Sequence, residues 1–144
     1  MSAVAGGSPP IPHRSTLIVL GVLGIANLAR GGLHVFLPDS GAGTIAGMDL
    51  SQGGQAIIFL LAMTGVGQVG AGLVDLAVAF RYRAFAVPLL AIEAVRALLG
   101  LVTAWLVKLP PVDVPGKRGM IFTAVLLTAA LAWELLRPGR RAAR

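Results

Sequence analysis

Apolar residues fall into four long runs, at about 15–36, 55–80, 84–107 and 119–136, divided by shorter stretches rich in polar and turn-forming residues. Each run is close to the ~20 residues that a helix needs to cross the hydrocarbon core of a bilayer. None shows the period-two alternation of a barrel strand, and lipid offers unpaired backbone groups no partner, so the runs predict transmembrane helices. The boundaries carry chemical markers. Ser15 or Thr16 is placed to cap the first helix and Pro38 to end it. Pro88 falls in the first turns of the third, where a missing N–H is harmless, and Pro138-Gly139 stops the fourth. The first run is not read as a secretory leader, because no small-residue cleavage site follows it and Arg30 interrupts its late part.

The connections are unequal. Residues 37–54 form a long loop rich in Gly, Ser and Asp, 81–83 a tight turn, and 108–118 a Pro-rich loop. The tight turn predicts an antiparallel hairpin of the second and third spans. Residues 1–14 read as a flexible tail in which His13 is uninvolved, 15–137 as the four-span domain, and 138–144 as a basic tail. The predicted fold is an all-α, integral membrane, antiparallel four-helix bundle.

Composition agrees. Of 144 residues, 56% are hydrophobic and only 12% charged, against about 25% charged in an ordinary soluble domain; mean hydropathy is +0.85. The net charge of +6 does not point to nucleic acid, because the basic residues flank the apolar runs and no aromatic-interleaved basic face accompanies them. Arg14, Arg81, Arg83 and the C-terminal arginines share one side if all four runs cross. The positive-inside rule then places both termini in the cytoplasm, and the Ala-, Gly- and Arg-rich composition suggests a bacterial inner membrane. Lys117 and Arg118 on the other side weaken the asymmetry without reversing it. The absence of cysteine excludes disulfides, thiol redox chemistry and cysteine metal sites.

An ionisable residue deep in a span costs a few kcal/mol or more unless paired or hydrated, and several are present. The first run carries Asn27, Arg30 and His34, which steps of three and four place on one face; the second carries Thr64, Gln68 and Asp75; the third carries Glu93 and Arg96, with Gly100 and Thr103 extending the stripe; the fourth carries Thr123 and Glu134. Helices that are polar on one stripe hide it by turning it toward a shared interior. Depth favours Glu93 pairing with Arg96 or Arg30, and Glu134 with Arg137 as an anchor pair at the interface. Gly65, Gly67, Gly70, Ala71 and Gly72 permit close helix approach. Asn27, Arg30, His34, Gln68, Asp75, Glu93 and Arg96 are therefore the candidate polar network, either structural glue or the lining of a binding site.

No phosphate-binding Gly-rich loop with Lys-Ser/Thr, no HExxH and no nucleophile elbow occurs, so no catalytic residue is assigned. Two distant histidines argue against haem or a metal cluster.

Arg30-Gly31-Gly32-Leu33-His34, Pro38-Asp39, the segment 45–51 (IAGMDLS) and Glu93-Ala94-Val95-Arg96 together resemble the small four-helix bacterial membrane proteins of the DoxX-like group, over about residues 15–136. Some members of that group are linked as membrane subunits to quinone-coupled oxidoreductases, so the resemblance implies a possible quinone. The chain's lack of cysteine departs from relatives proposed to handle thiols. Three functions follow in order: a non-enzymatic accessory or interaction subunit with a membrane protein partner; a quinone- or small-amphiphile-binding subunit using Arg30, His34, Glu93 and Arg96; and a small proton-coupled transporter acting as a homo-oligomer.

Overall fold

The computed structural model describes residues 11–109, 114 and 116–137. Most of the predicted N-terminal tail, the basic tail 138–144 and the prolines of the 108–118 loop lie outside the described residues. The described chain is helical, with α1 at Arg14–Phe36, α2 at Gly54–Phe80, α3 at Ala86–Val102 and α4 at Gly116–Leu136. A 3-10 turn, Arg83–Phe85, leads into α3, and a π-helical turn, Thr103–Val107, ends it. With those turns counted, four helices are long and apolar enough to cross a membrane. No strand occurs among the described residues.

The start of α1 differs from expectation. Its cap is His13, whose Nδ1 accepts the N–H of Ser15 at 3.2 Å. Arg14 is already helical. Thr16 is left free to use its hydroxyl elsewhere, on Glu134 of α4.

α1 packs most extensively on α2, and α3 on α4, while α1 also reaches α3 and α4. The hairpin partners α2 and α3 share few contacts despite their tight turn. The α1–α2 seam is built on two glycine contacts. A Cβ on Gly24 would lie 3.0 Å from the Gly72 carbonyl, and one on Gly72 would lie 2.7 Å from the Gly24 carbonyl. Gly31 and Gly65 repeat this at 2.7 and 2.8 Å. Residue 24 meets 72 and residue 31 meets 65, a seven-residue interval on each helix that returns to the same face. Only glycine lets two backbones come this near, and such contacts suit helices that gain nothing from apolar burial in lipid. Gly67 and Gly70, expected to help, face open space.

The buried cluster comprises Leu20, Val78, Ala79, Ala86, Leu90, Ala94 and Leu127. These residues come from the early part of α1, the end of α2, the first half of α3 and the middle of α4. The dry core therefore occupies the half of the molecule nearest the α2–α3 turn. The outside is apolar: Ile18, Val22, Phe59, Leu60, Met63, Leu73, Ile92, Leu99, Phe122 and Val125 are all exposed.

The first part of the α1–α2 connection is ordered by the Asp39 carboxylate. Asp39 accepts the backbone N–H groups of Gly41 (2.9 Å), Gly43 (3.0 Å) and Thr44 (2.7 Å), and the Thr44 hydroxyl (3.0 Å). These bonds, that of the Thr44 N–H first, hold the Asp39 carboxyl below its ordinary range. Ser40 sits in the left-handed region at φ 53° and is buried. Its carbonyl accepts His34 Nδ1–H at 2.7 Å.

Two outcomes follow. Gly31→Ala should destabilise the protein by roughly 1–3 kcal/mol through overpacking, whereas Gly67→Ala should be neutral or slightly stabilising; thermal unfolding in detergent compares them. A lowered folded pKa makes the Asp39 contribution complete at neutral pH, declining as pH falls into the ordinary carboxylate range, and absent below the folded value. Amide protection at Gly41, Gly43 and Thr44 should accordingly collapse on acidification below about pH 4, and Asp39→Asn should remove that acid dependence.

Candidate ligand-binding cavity

Packing that closes one half of the molecule leaves the other half open. Beyond Leu23 and Leu127 lies a cavity of about 360 Å³, with contributions from all four helices. Its polar lining is Asn27 and Arg30 from α1, Gln68 from α2, Glu93 and Arg96 from α3, and Thr123 from α4. Ala26, Ala97, Gly100, Gly119 and Met120 supply small or apolar surface between them. α4 thus forms a wall without charge. The cavity lies in the half that carries the C-terminal parts of α1 and α3 and the start of α4, away from the α2–α3 turn.

Glu93 and Arg96 are one turn apart on α3 and form an ion pair at 2.6 Å. The two are exposed very differently: the Glu93 side chain is 6% accessible and that of Arg96 is 50%. The carboxylate is sunk into the α3 packing beside Ala94, while the guanidinium reaches into the open volume with N–H groups to spare. Arg30 is also exposed and lies against the start of α4. A Cβ on Gly116 would come within 3.2 Å of its Nη2, so a bare backbone at Gly116 makes room for the guanidinium. Among the described residues, no hydrogen bond or ion pair reaches Arg30. Asn27 donates through Nδ2 to Asp75 Oδ2 at 3.1 Å, and Asp75 is fully buried. The second Asp75 oxygen and Gln68 Oε1 have no protein partner. The Thr123 hydroxyl donates to the Gly119 carbonyl at 2.9 Å, which leaves its oxygen as an acceptor.

Asn27, Arg30, Gln68, Glu93 and Arg96 of the predicted network thus come together on the cavity. Asp75 stands one bond behind it as the anchor of Asn27. His34 is one turn from Arg30 on α1, yet it does not line the cavity. Its ring turns to the Ser40 carbonyl, and its Cβ lies against Gly65. Thr64 is exposed and bonds back to the Leu60 carbonyl at 2.8 Å, so it leaves the expected stripe.

A second polar node was only half visible in the sequence. Glu134 is fully buried, not drawn out to a surface. Its Oε2 accepts the Thr16 hydroxyl at 2.6 Å and the His13 N–H at 3.1 Å, and its Oε1 pairs with Arg137 at 2.8 Å. Arg137 also donates to the Ile11 carbonyl at 2.7 Å. This clasp joins the first turn of α1 to the last of α4. The Glu134–Arg137 spacing signals the ion pair, but nothing in the sequence links Glu134 to residue 13 or 16, which are more than a hundred positions away. His13, expected in a loose tail, is part of it.

No protein-family model, no curated protein and no solved structure matches this chain. The assignment of a role therefore rests on the geometry alone.

Removing Glu134 strands the Thr16 hydroxyl and the Arg137 guanidinium, so Glu134→Ala should cost about 3 kcal/mol. Thr16→Val, which deletes one hydrogen bond to a charged group, should cost roughly half that. Equilibrium unfolding in detergent measures both, and neither variant should change ligand affinity at the cavity.

Proposed function

We propose that this chain is a small multi-pass membrane protein, an antiparallel four-helix bundle that holds the polar head of a small amphiphile in the cavity between its helices. The chain acts as a binding or accessory subunit rather than as an enzyme in its own right. One observation carries the reading: two guanidinium groups share the cavity with a single carboxylate, and that carboxylate is already committed to one of them. A network that served only to fix helix register would close on itself, because buried polar groups in finished structures are hydrogen-bonded. Here Gln68 Oε1 is buried without a partner, and Arg30, which has no protein partner among the described residues, borders open volume.

The leftover groups define the ligand. Arg30 and the free face of Arg96 select an anionic or carbonyl oxygen, through charge-assisted hydrogen bonds. Gln68 and Asn27, the latter fixed by Asp75, line the wall beside them. The apolar surface of Leu23, Met120 and Leu127 fits a hydrocarbon portion. A quinone meets these requirements with its carbonyl oxygens, as does a carboxylate-headed amphiphile. His34, whose proton is given to the Ser40 carbonyl, takes no part. The alternative of a plain scaffolding subunit would be served by a closed interior, which the cavity argues against.

Titration of the detergent-solubilised protein with a short-chain quinone, a fatty acid and that acid's methyl ester tests the reading. Arg30→Ala and Arg96→Ala should each weaken the preferred probe roughly tenfold, as the loss of one hydrogen bond to a charged group does, while His34→Ala should leave it unchanged. Binding that survives both arginine substitutions, or that favours none of the three probes, would overturn the proposal.

A further inference from the structure

A second feature lies at the opposite end of the molecule. An apolar groove of about 460 Å³ runs along α1 past the end of α2, floored by Leu17, Gly21 and Ile25 and flanked by Ala79 and Phe80, with Arg14 and Arg83 at one end. Both arginines are exposed, and among the described residues no hydrogen bond or ion pair reaches either of them. They begin α1 and the 3-10 turn before α3, so they stand at the same end of the molecule.

We propose that this groove binds one anionic phospholipid, with an acyl chain along Leu17, Gly21 and Ile25 and its phosphate between Arg14 and Arg83. The assignment rests on the membrane reading above and not on the cavity. Charge complementarity carries it. The groove wall is almost wholly apolar, as an acyl chain requires, and the only charges on it are two cations at one end, as a phosphate requires. Basic pockets between transmembrane helices are the usual seats of anionic head groups. The length agrees as well. From Arg14 to Ile25 the helix rises about 16 Å at ~1.5 Å per residue, close to the depth of one leaflet of a hydrocarbon core roughly 30 Å thick. Gly21 keeps the floor open: a Cβ there would meet no atom within 4 Å, so the glycine answers no packing need inside the protein. Glycines 24 and 31 on the same helix, by contrast, are filled against α2.

The test uses the full chain in nanodiscs of equal phosphatidylglycerol and phosphatidylcholine, with native mass spectrometry of the lipids retained on release. The wild type should keep phosphatidylglycerol roughly tenfold over phosphatidylcholine, given the attraction of two cations. Arg14→Ala with Arg83→Ala should abolish that preference. Gly21→Leu, which fills the groove from its floor, should lower retention of both lipids without lowering the melting temperature; should it misfold, the arginine pair decides alone. The cavity pair Arg30→Ala with Arg96→Ala should leave the preference intact. Equal retention of the two lipids by the wild type, or a preference that moves with the cavity pair instead, would overturn the assignment while sparing the membrane reading. A dimer peak abolished by Gly21→Leu would give the groove to a second copy and overturn it too. Failure of the chain to enter the discs would overturn the membrane reading itself.

Discussion

The backbone contact between α1 and α2 is the constraint from which the remaining geometry follows. Each glycine carbonyl at 24, 31, 65 and 72 occupies the place where the opposing residue would carry its Cβ. That leaves the two helices one rotation and one register. Asn27 falls within the interval 24–31 and Gln68 within 65–72, and both turn to the same cavity wall. Arg30 stands beside Gly31, and its guanidinium lies against Gly116 at the start of α4. A larger residue at any of these contacts would push the helices apart and misplace the polar groups that ride on them. The seam also explains why α2 relies so little on α3. Its packing is taken up by α1, and the short turn at 81–83 links two helices that diverge from it.

The polar residues divide between the two ends according to whether their charges are met. Around Glu134, groups from the start of α1 and the end of α4 converge on one carboxylate, and the helices close over it. Around Glu93 there is one donor and an opening. Burying an ion is tolerable only when its remaining lone pairs and protons are satisfied. The first arrangement satisfies Glu134 Oε2 by hydrogen bonds from within the protein and holds Oε1 by the Arg137 ion pair alone. The second pairs Glu93 with Arg96 and leaves Arg30 with no protein partner among the described residues. The same composition of apolar helices thus supports a clasp at one end and an open cavity at the other, and the number of donors per carboxylate separates the two.

Much of this is legible in the sequence, because both the helix period and the length of an apolar run are local properties. The four runs become four helices, and the three-residue steps from Asn27 to Arg30 and from Glu93 to Arg96 place each pair on one face. What is not legible depends on which way a helix turns. Gly65 and Gly72 meet α1 while Gly67 and Gly70 do not, although all four lie within eight residues; only the seven-residue match to Gly24 and Gly31 on another helix distinguishes them. His34 shares a face with Arg30 by spacing, yet its ring is claimed by Ser40, whose left-handed backbone belongs to a loop that spacing does not describe. The partners of Glu134 are remote in the chain and carry no charge pattern of their own.

The end of α3 and the start of α4 are joined outside the cavity lining. At the end of α3 the helix widens into its π turn, and the Lys108 N–H reaches back to the Thr103 carbonyl at 2.7 Å. Trp105 in that turn lies 4.0 Å beneath the Lys117 ammonium at the start of α4. That cation–π contact ties the end of α3 to the start of α4. Arg30 reaches the same first turn of α4 from α1, over Gly116. Side chains from α1 and α3 therefore both reach the start of α4, Arg30 at Gly116 and Trp105 at Lys117. The start of α4 is thus held from two neighbouring helices, while its next turns, at Gly119, Met120 and Thr123, remain a wall of the cavity.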